Sequence, residues 1–231
     1  MDHFQLIYAH KARQYHRMIE AEDVDGNLRK ALCGITAWEN KTVIDLGSGT
    51  GRFPLLFKEI PMKFTCLDLN RAMLLENKQQ RELSASSWHL VQADMRSLPF
   101  PAGRTDIVIA GWAIGHLRTW YAEDWQRQID SILLEMQRAA RSGGTLIICE
   151  TMSTGSLTPR PPVPELGEYY TRLEQRWQMQ RQVIQTDYKF ASVEQAVEYT
   201  EFFFGSELAE EIRLRGWARL PEWTGIWHCQ T

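Results

Sequence analysis

The sequence has no run of about 18 uninterrupted apolar residues, the length that a membrane-spanning helix needs. Its opening stretch, MDHFQLIYAHKARQYHR, also lacks the apolar segment of a signal peptide. Positive charge is not in excess, since 26 Lys and Arg residues face 29 Asp and Glu residues and the formal net charge is −3. That balance argues against a phosphate backbone as a partner. We therefore expect a cytoplasmic protein without a nucleic-acid partner and without membrane insertion, and the composition leaves its oligomeric state open.

Cysteine is scarce as well. The four cysteines lie far apart, and the sequence contains neither a C-x-x-C pair nor paired histidines. This excludes a disulfide framework of the secreted type and gives no zinc-binding spacing, so we expect no metal site. The 231 residues, 44% of them hydrophobic and 24% charged, are typical of a globular protein. We expect them to form a single domain over residues 1–231.

Strand-like and helix-like segments alternate through the middle of the sequence. The predicted strands are residues 43–46, 63–68, 88–93, 106–110 and 145–150. The predicted helices between them are residues 52–60, 71–83 and 122–141. This alternation predicts an α/β fold in which right-handed crossovers build a parallel sheet with helices on both faces.

The flanking segments have a different texture. Residues 1–37 are predicted to be a helical N-terminal arm in two pieces, broken near Asp25-Gly26-Asn27. Residues 41–150 are the predicted core, and residues 151–185 a lid-like insertion after the fifth strand. That insertion begins with a stretch holding four prolines and continues into a predicted helix over 165–182. Residues 186–231 are predicted to supply the C-terminal part of the sheet and its helices. The predicted elements there are a strand at 186–190, helices at 194–204 and 206–215, and a strand at 222–230.

A glycine-rich loop follows the first predicted strand in VIDLGSGTGR, residues 43–52. Gly47, Gly49 and Gly51 allow close approach to the main chain, and the helix that follows points backbone N–H groups at an anion. A P-loop would need Lys and then Ser or Thr after its last glycine, and a dinucleotide fingerprint would need glycine at position 52, which is Arg52. Asp45, before the first glycine, would repel a pyrophosphate but suits an ammonium group. An amino-acid headgroup offers both charges, which points to the methionine end of S-adenosylmethionine.

The ends of the next three predicted strands carry further residues suited to a ligand. Asp68 lies 23 residues after Asp45, and an acid about 20 residues on can accept hydrogen bonds from ribose hydroxyls. Leu69 offers an apolar surface for adenine, and Asp94 is placed to accept from an adenine amino group. Gly111 permits close backbone approach at the end of the fourth strand. Open α/β sheets bind ligands at this rim.

In VIDLGSGTGR, CLDLNRAML, QADMRSLPF, DIVIAGWAIGHL and RSGGTLII, the chain resembles the class I S-adenosylmethionine-dependent methyltransferases. Its sequence pattern is most similar to that of the type 11 group, which includes the ubiquinone and menaquinone biosynthesis methyltransferases. The resemblance implies a Rossmann-like, mostly parallel sheet of seven strands. It also implies roles for individual residues, with S-adenosylmethionine as cofactor. The methionine moiety would be held by Asp45, Gly47, Gly49 and Gly51, the ribose by Asp68, and adenine by Leu69, Asp94 and Met95, while Tyr15 of the arm would close over the cofactor.

Two residues are candidates for a catalytic base. His116 follows the fourth predicted strand, and Glu150 ends the fifth strand at the same rim, so either could take a proton from the methyl acceptor. Their alternative roles are packing or helix capping for His116, and pairing with an arginine or a backbone amide for Glu150. Many methyl transfers need no base.

Aromatic residues suggest a cover over the methyl group. The candidates are Tyr8, His10, Tyr15 and His16 in the arm, and Tyr169, Tyr170 and Trp177 in the insertion. They would keep water from the reacting groups, and the alternative is that they fill the core.

The predicted function is transfer of a methyl group to a small-molecule acceptor at an O, N or C atom. One alternative is a methyltransferase acting on RNA or protein, although Ala110-Gly111-Trp112-Ala113 stands where amino-group nucleic-acid methyltransferases carry an Asn/Asp-Pro-Pro-aromatic motif. The other is a non-catalytic protein that binds S-adenosylmethionine. The sequence leaves the acceptor itself open, because a fold fixes the cofactor more firmly than the substrate.

Overall fold

A seven-stranded sheet forms the centre of the computed structural model, which describes residues 2–231. The strands of the chain are β1 (Thr42–Leu46), β2 (Lys63–Asp68), β3 (His89–Gln92), β4 (Thr105–Gly111), β5 (Ala140–Thr154), β6 (Gln180–Gln185), β7 (Tyr188–Lys189), β8 (Arg219–Leu220) and β9 (Glu222–Gln230). The central sheet has the order β3-β2-β1-β4-β5-β9-β6. Its first five strands are parallel, and β9 is antiparallel to both of its neighbours. This confirms the predicted Rossmann-like, mostly parallel α/β sheet.

Helices connect the strands and cover the sheet. They are α1 (His3–His10), α2 (Ala12–Glu20), α3 (Asn27–Ile35), α4 (Arg52–Leu56), α5 (Arg71–Leu83), α6 (His116–Trp120), α7 (Trp125–Ala139), α8 (Pro164–Gln175), α9 (Val193–Phe204) and α10 (Ser206–Arg215). Among the helices described, none combines the length and apolar character needed to cross a bilayer.

The two faces of the sheet bury two separate hydrophobic clusters, because side chains alternate along each strand. On β4, Val108 and Ala110 join one cluster, which the apolar stripe of α7 covers. Ile107 and Ile109 join the other, which includes buried residues of α3 and α4. Helices therefore lie on both faces of the sheet, as predicted.

Several element boundaries coincide with the predictions and others differ. β2, α5 and β9 begin and end at the predicted residues. The arm breaks near Gly26 as predicted, but it contains three helices instead of two, because the backbone leaves the helical region at Lys11 (φ −127°, ψ 26°). Helix α4 is also shorter than predicted and ends at Leu56.

The predicted helix over 165–182 is wrong beyond Gln175. The chain reverses at Gln178, which has a positive φ of 52°, and then forms β6, the edge strand beside β9. The predicted strand at 186–190 is not in the central sheet, because β7 pairs with β8 in a separate two-stranded sheet. Residues 180–185 are thus part of the sheet and not of a lid. Pairing of residues 180–185 with β9, which is distant in sequence, therefore outweighed the local helical pattern.

Trp227 of β9 offers a test of this arrangement, since it is fully buried and its ring lies 4.6 Å from that of Tyr170, centroid to centroid. We expect Trp227→Ala to lower the free energy of unfolding by about 3–5 kcal/mol, the usual cost of emptying an aromatic core position. Urea denaturation followed by circular dichroism measures it. Leu214→Ala on α10, where the side chain is 79% exposed, is the control and should change stability by less than about 0.5 kcal/mol. Equal losses in the two variants would contradict the assigned core.

Candidate functional site

A cavity of about 430 Å³ lies at the carboxyl ends of β1, β2 and β4, under the N-terminal arm. Parallel strands bring their carboxyl ends to one edge of the sheet, which places residues distant in sequence around one space. The predicted site residues that line it are Tyr15, Asp45, Gly47, Gly49, Asp68, Leu69, Asp94, Met95, Gly111 and His116. Gly51 and Glu150 are outside the lining.

The glycine loop runs from the end of β1 to the start of α4. Gly47 has φ +66°, and a Cβ atom there would lie 2.4 Å from the Ala113 side chain, so the residue is fixed by close packing as well as by its backbone. Gly51 ends the loop at φ +95°, and a Cβ atom there would meet the Asn77 amide at 2.8 Å. Gly51 therefore serves the turn into α4 and does not face the cavity.

Asp45 is a buried carboxylate at the end of β1 that faces the cavity, with 1% of the residue exposed. Neither of its oxygens has a hydrogen-bond partner among residues 2–231. Burial, together with the nearby Asp68, raises its pKa well above the ordinary value. A buried carboxylate without a partner is costly, so this position suits a ligand that carries a hydrogen-bond donor or a positive charge.

Asp68, at the end of β2, is fixed by the main chain. Its Oδ2 accepts from the Gly49 N–H at 2.8 Å, and its Oδ1 accepts from the Asn70 N–H at 2.7 Å. Burial raises its pKa, although these amides act in the opposite direction. Each carboxylate oxygen has a second lone pair, so Asp68 can still accept hydrogen bonds from a ligand in the cavity.

Asp94 lines the cavity but is already engaged by Arg96. The guanidinium Nη2 donates to Oδ2 at 2.5 Å, Nε donates to Oδ1 at 3.0 Å, and the pKa of Asp94 is lowered by these bonds. Arg96 also donates to Gln128 and lies 5.0 Å from the ring centre of Tyr121. Arg96 was not among the predicted site residues, although it stands two residues after Asp94 in the quoted motif.

His116 is the first residue of α6 and contacts the arm. Its Nε2 lies 2.8 Å from the Tyr8 hydroxyl oxygen, and its ring stacks on Trp120 at 4.9 Å and 10°. Trp120 in turn donates a hydrogen bond to Asp2. Burial lowers the pKa of His116 to about 4, so the imidazole is neutral near pH 7. The Tyr8–His116 pair thus presents two uncharged polar groups at the cavity wall.

Glu150 does not line the cavity, in contrast to its predicted place beside the reacting groups. Its Oε1 accepts from the Gly115 N–H at 2.9 Å, and the Tyr169 hydroxyl lies 3.4 Å away. Burial raises its pKa to about 7. Since Gly115 directly precedes His116, the Glu150 carboxylate holds the backbone from which the imidazole projects, which is the amide-partner alternative.

The predicted cover is formed by the arm and not by the insertion. Tyr8 and Tyr15 line the cavity, whereas Tyr169 and Tyr170 are buried in the core and Trp177 donates its ring N–H to Asp130 at 2.9 Å. The arm histidines also lie outside the lining: His10 is exposed, and His16 bonds to Thr50 of the glycine loop with its Nδ1 2.9 Å from the hydroxyl oxygen.

A buried ion pair joins the arm to the glycine loop. Arg52 Nη1 donates to Glu22 Oε2 at 2.8 Å, and the guanidinium lies 3.9 Å from the ring centre of Trp112. Trp112 has φ +51°, an unusual value for a bulky residue, and it lines the cavity directly after β4. This contact could not be predicted from the sequence, because no spacing rule pairs Glu22 with Arg52.

Comparison with known proteins agrees with this geometry. Residues 44–148 match the family model described as a methyltransferase domain. The malonyl-[acyl-carrier protein] O-methyltransferase of Serratia marcescens is 26% identical over 132 residues, which are 57% of this chain and 44% of the relative. The corresponding enzyme of Pectobacterium atrosepticum is 26% identical over 160 residues, 69% of this chain and 54% of the relative. The chain thus spans about half the length of the curated relatives that it matches.

Solved structures share the fold. A SAM-dependent methyltransferase from Aquifex aeolicus superposes with a TM-score of 0.55 at 15% sequence identity, and the match covers 87% of this chain and 87% of that one. At this identity the likeness concerns the fold.

The titration of His116 tests the described environment of the imidazole. We expect a midpoint near pH 4 in a ¹H–¹³C NMR titration, because burial disfavours the imidazolium. The unfolded chain takes up this proton near pH 6.5, so His116 makes the protein less stable as pH falls from about 6.5 to about 4. His116→Asn assigns the signal. A midpoint near 6.5, as in solvated imidazole, would contradict the buried position.

Proposed function

We propose that this chain, whose residues 44–148 form a class I S-adenosylmethionine-dependent methyltransferase domain of the type 11 group, transfers a methyl group to a small-molecule acceptor. The observation that carries the proposal is the Asp45 carboxylate, buried at the cavity and without a partner in the part of the chain that the structure describes. A protein that had lost its ligand would gain stability by replacing such a group.

The residues present fit S-adenosylmethionine. Asp45 would pair with its ammonium group, and the loop N–H group at Gly47 would face its carboxylate. Gly49, whose own N–H is bonded to Asp68, would allow close approach because it has no side chain. Asp68 would accept from the ribose hydroxyls. The adenine would lie near Leu69, Asp94 and Met95, which follow β2 and β3, and Tyr15 of the arm would cover the cofactor. When bound, the cofactor supplies a methyl group made electrophilic by its sulfonium.

The contribution of this chain to the reaction would be orientation and exclusion of water. The arm closes one side of the cavity through Tyr8, Tyr15 and Ile19, and a near-attack arrangement of donor and acceptor accounts for much of the rate in such displacements. Neutral His116 at the cavity wall would accept the proton that a hydroxyl or amine acceptor releases. Glu150 would act as a positioning residue for His116 through Gly115.

The class of methyl acceptor, and the alternative of a non-catalytic protein, can be distinguished by experiment. The malonyl group on acyl-carrier protein, named for the relatives, is one acceptor to assay, and RNA or protein acceptors are others. We propose incubating the protein with cofactor labelled in the methyl group and a fractionated cell extract. Label is expected in the small-molecule fraction. Label in protein or RNA would contradict the proposed acceptor class, and cofactor binding without transfer would support a non-catalytic role.

Asp45→Asn gives the sharpest test of the cofactor site. We expect affinity for S-adenosylhomocysteine to fall by about 10- to 150-fold, equivalent to ~1.5–3 kcal/mol, because a charge-assisted hydrogen bond to the ammonium is lost. The free energy of unfolding without ligand should stay equal or rise, since the variant removes a buried acid whose raised pKa disfavours folding at neutral pH and breaks no internal hydrogen bond. Calorimetric titration and urea denaturation measure the two quantities.

The matched control is Asp130→Asn. Asp130 is bonded to Arg172 at 2.9 and 2.5 Å and does not line the cavity. This variant should lose stability and keep its ligand affinity, the reverse of the pattern expected for Asp45. Unchanged affinity in Asp45→Asn would remove the ammonium assignment.

A further inference from the structure

Around the cavity, the positively charged side chains are paired with carboxylates, whereas two carboxyl groups have no cationic partner. Within residues 2–231, the lining carries two guanidinium groups, and each already faces a carboxylate: Arg52 that of Glu22, and Arg96 that of Asp94. Asp45 and Asp68 have no cationic partner. The cofactor brings one net positive charge, from its sulfonium, because its ammonium and carboxylate cancel. Apart from that sulfonium, the site therefore offers no unmatched cation to an acidic acceptor.

Several aromatic side chains contribute to the cavity wall away from the glycine loop. Tyr8 of α1, Trp120 and the adjoining Tyr121, and Trp112 after β4 all line the cavity. Three of these rings are held by polar contacts: Trp120 donates to Asp2, Trp112 lies under the Arg52 guanidinium, and Tyr121 lies under that of Arg96. Flat, fixed rings of this kind favour a planar apolar body.

The Tyr8–His116 pair is the polar feature set among these rings. The two groups are 2.8 Å apart, and the imidazole nitrogen that faces Tyr8 carries no charge near pH 7. Such a pair can both donate and accept, as a hydroxyl group can. It offers nothing to neutralise a carboxylate or a phosphate.

We infer that the methyl acceptor is an uncharged aromatic alcohol whose hydroxyl group meets the Tyr8–His116 pair. This inference rests on the proposed methyl transfer and narrows its substrate class. The hydroxyl oxygen forms the new bond to the methyl carbon, and the carbon–sulfur bond breaks with its electron pair left on sulfur. The hydroxyl proton passes to the Tyr8 oxygen while the Tyr8 proton passes to His116 Nε2. A weakly basic imidazole suffices, because the oxygen becomes strongly acidic as the bond forms.

The inferred acceptor differs from that of the curated relatives. Their name specifies a malonyl group, which presents a carboxylate, as acceptor. A carboxylate needs no base and gains most from a free cation, and this cavity has the opposite arrangement.

The test compares two probes of nearly equal shape, 2-naphthol and 2-naphthoate, by calorimetry on protein saturated with S-adenosylhomocysteine. We expect 2-naphthol to bind at least about tenfold more tightly, because a buried carboxylate without a counter-ion loses its hydration. Equal affinities, tighter binding of the naphthoate, or binding of neither probe would overturn the inference. The preceding titration with S-adenosylhomocysteine tests the proposed function separately. Failure of the protein to bind S-adenosylhomocysteine would count against methyl transfer itself, and not against the inferred acceptor class alone.

Tyr8→Phe tests the role of the polar pair. This variant should weaken 2-naphthol by about 3- to 10-fold and leave 2-naphthoate unchanged, so the ratio of the two affinities falls. The matched control is Tyr170→Phe, which removes a hydroxyl that donates to the Thr151 carbonyl outside the cavity, at 2.7 Å. The ratio should stay constant in the control. An unchanged ratio in Tyr8→Phe would remove the pair from acceptor recognition.

Discussion

The unpartnered Asp45 carboxylate is the constraint on which the site depends. It stands near the end of the inner strand β1, between β2 and β4, where it is buried just before the glycine loop. No internal donor satisfies it in the part of the chain described, so the folded protein carries an electrostatic cost that a cationic ligand would remove. Natural proteins tolerate such costs mainly where binding repays them, and the rest of the cavity is arranged around this point.

The arm completes the site through three polar contacts, two with the glycine loop and one with α6. His16 bonds to Thr50 and Glu22 pairs with Arg52, both at the glycine loop, and Tyr8 contacts His116 on α6. Because these contacts are polar and largely buried, they hold the arm in one geometry.

Two buried titratable groups flank Gly115 and respond to pH in opposite directions. The lowered pKa of His116 makes folding less favourable as pH falls from about 6.5 to about 4. The raised pKa of Glu150 makes folding less favourable as pH rises from about 4.5 to about 7, because the folded state retains a proton that the unfolded chain has released. In the folded protein, both side chains beside the start of α6 are therefore mainly uncharged between about pH 4 and about pH 7.

The sequence by itself determined the α/β sheet, the glycine loop and the strand-end acids, because periodicity and loop chemistry are local and parallel strands bring their ends together. Only the tertiary structure decided which residues distant in sequence contact one another. Residues 180–185 became the edge strand β6 because β9 offered a partner, and Tyr169 and Tyr170 became core because α8 packs onto the sheet. Three further contacts could not be read from the sequence. They are the pairing of Asp94 with Arg96, the bond of Glu150 to the Gly115 N–H outside the cavity lining, and the neutral Tyr8–His116 pair. Each depends on side-chain direction and burial, which no single segment encodes.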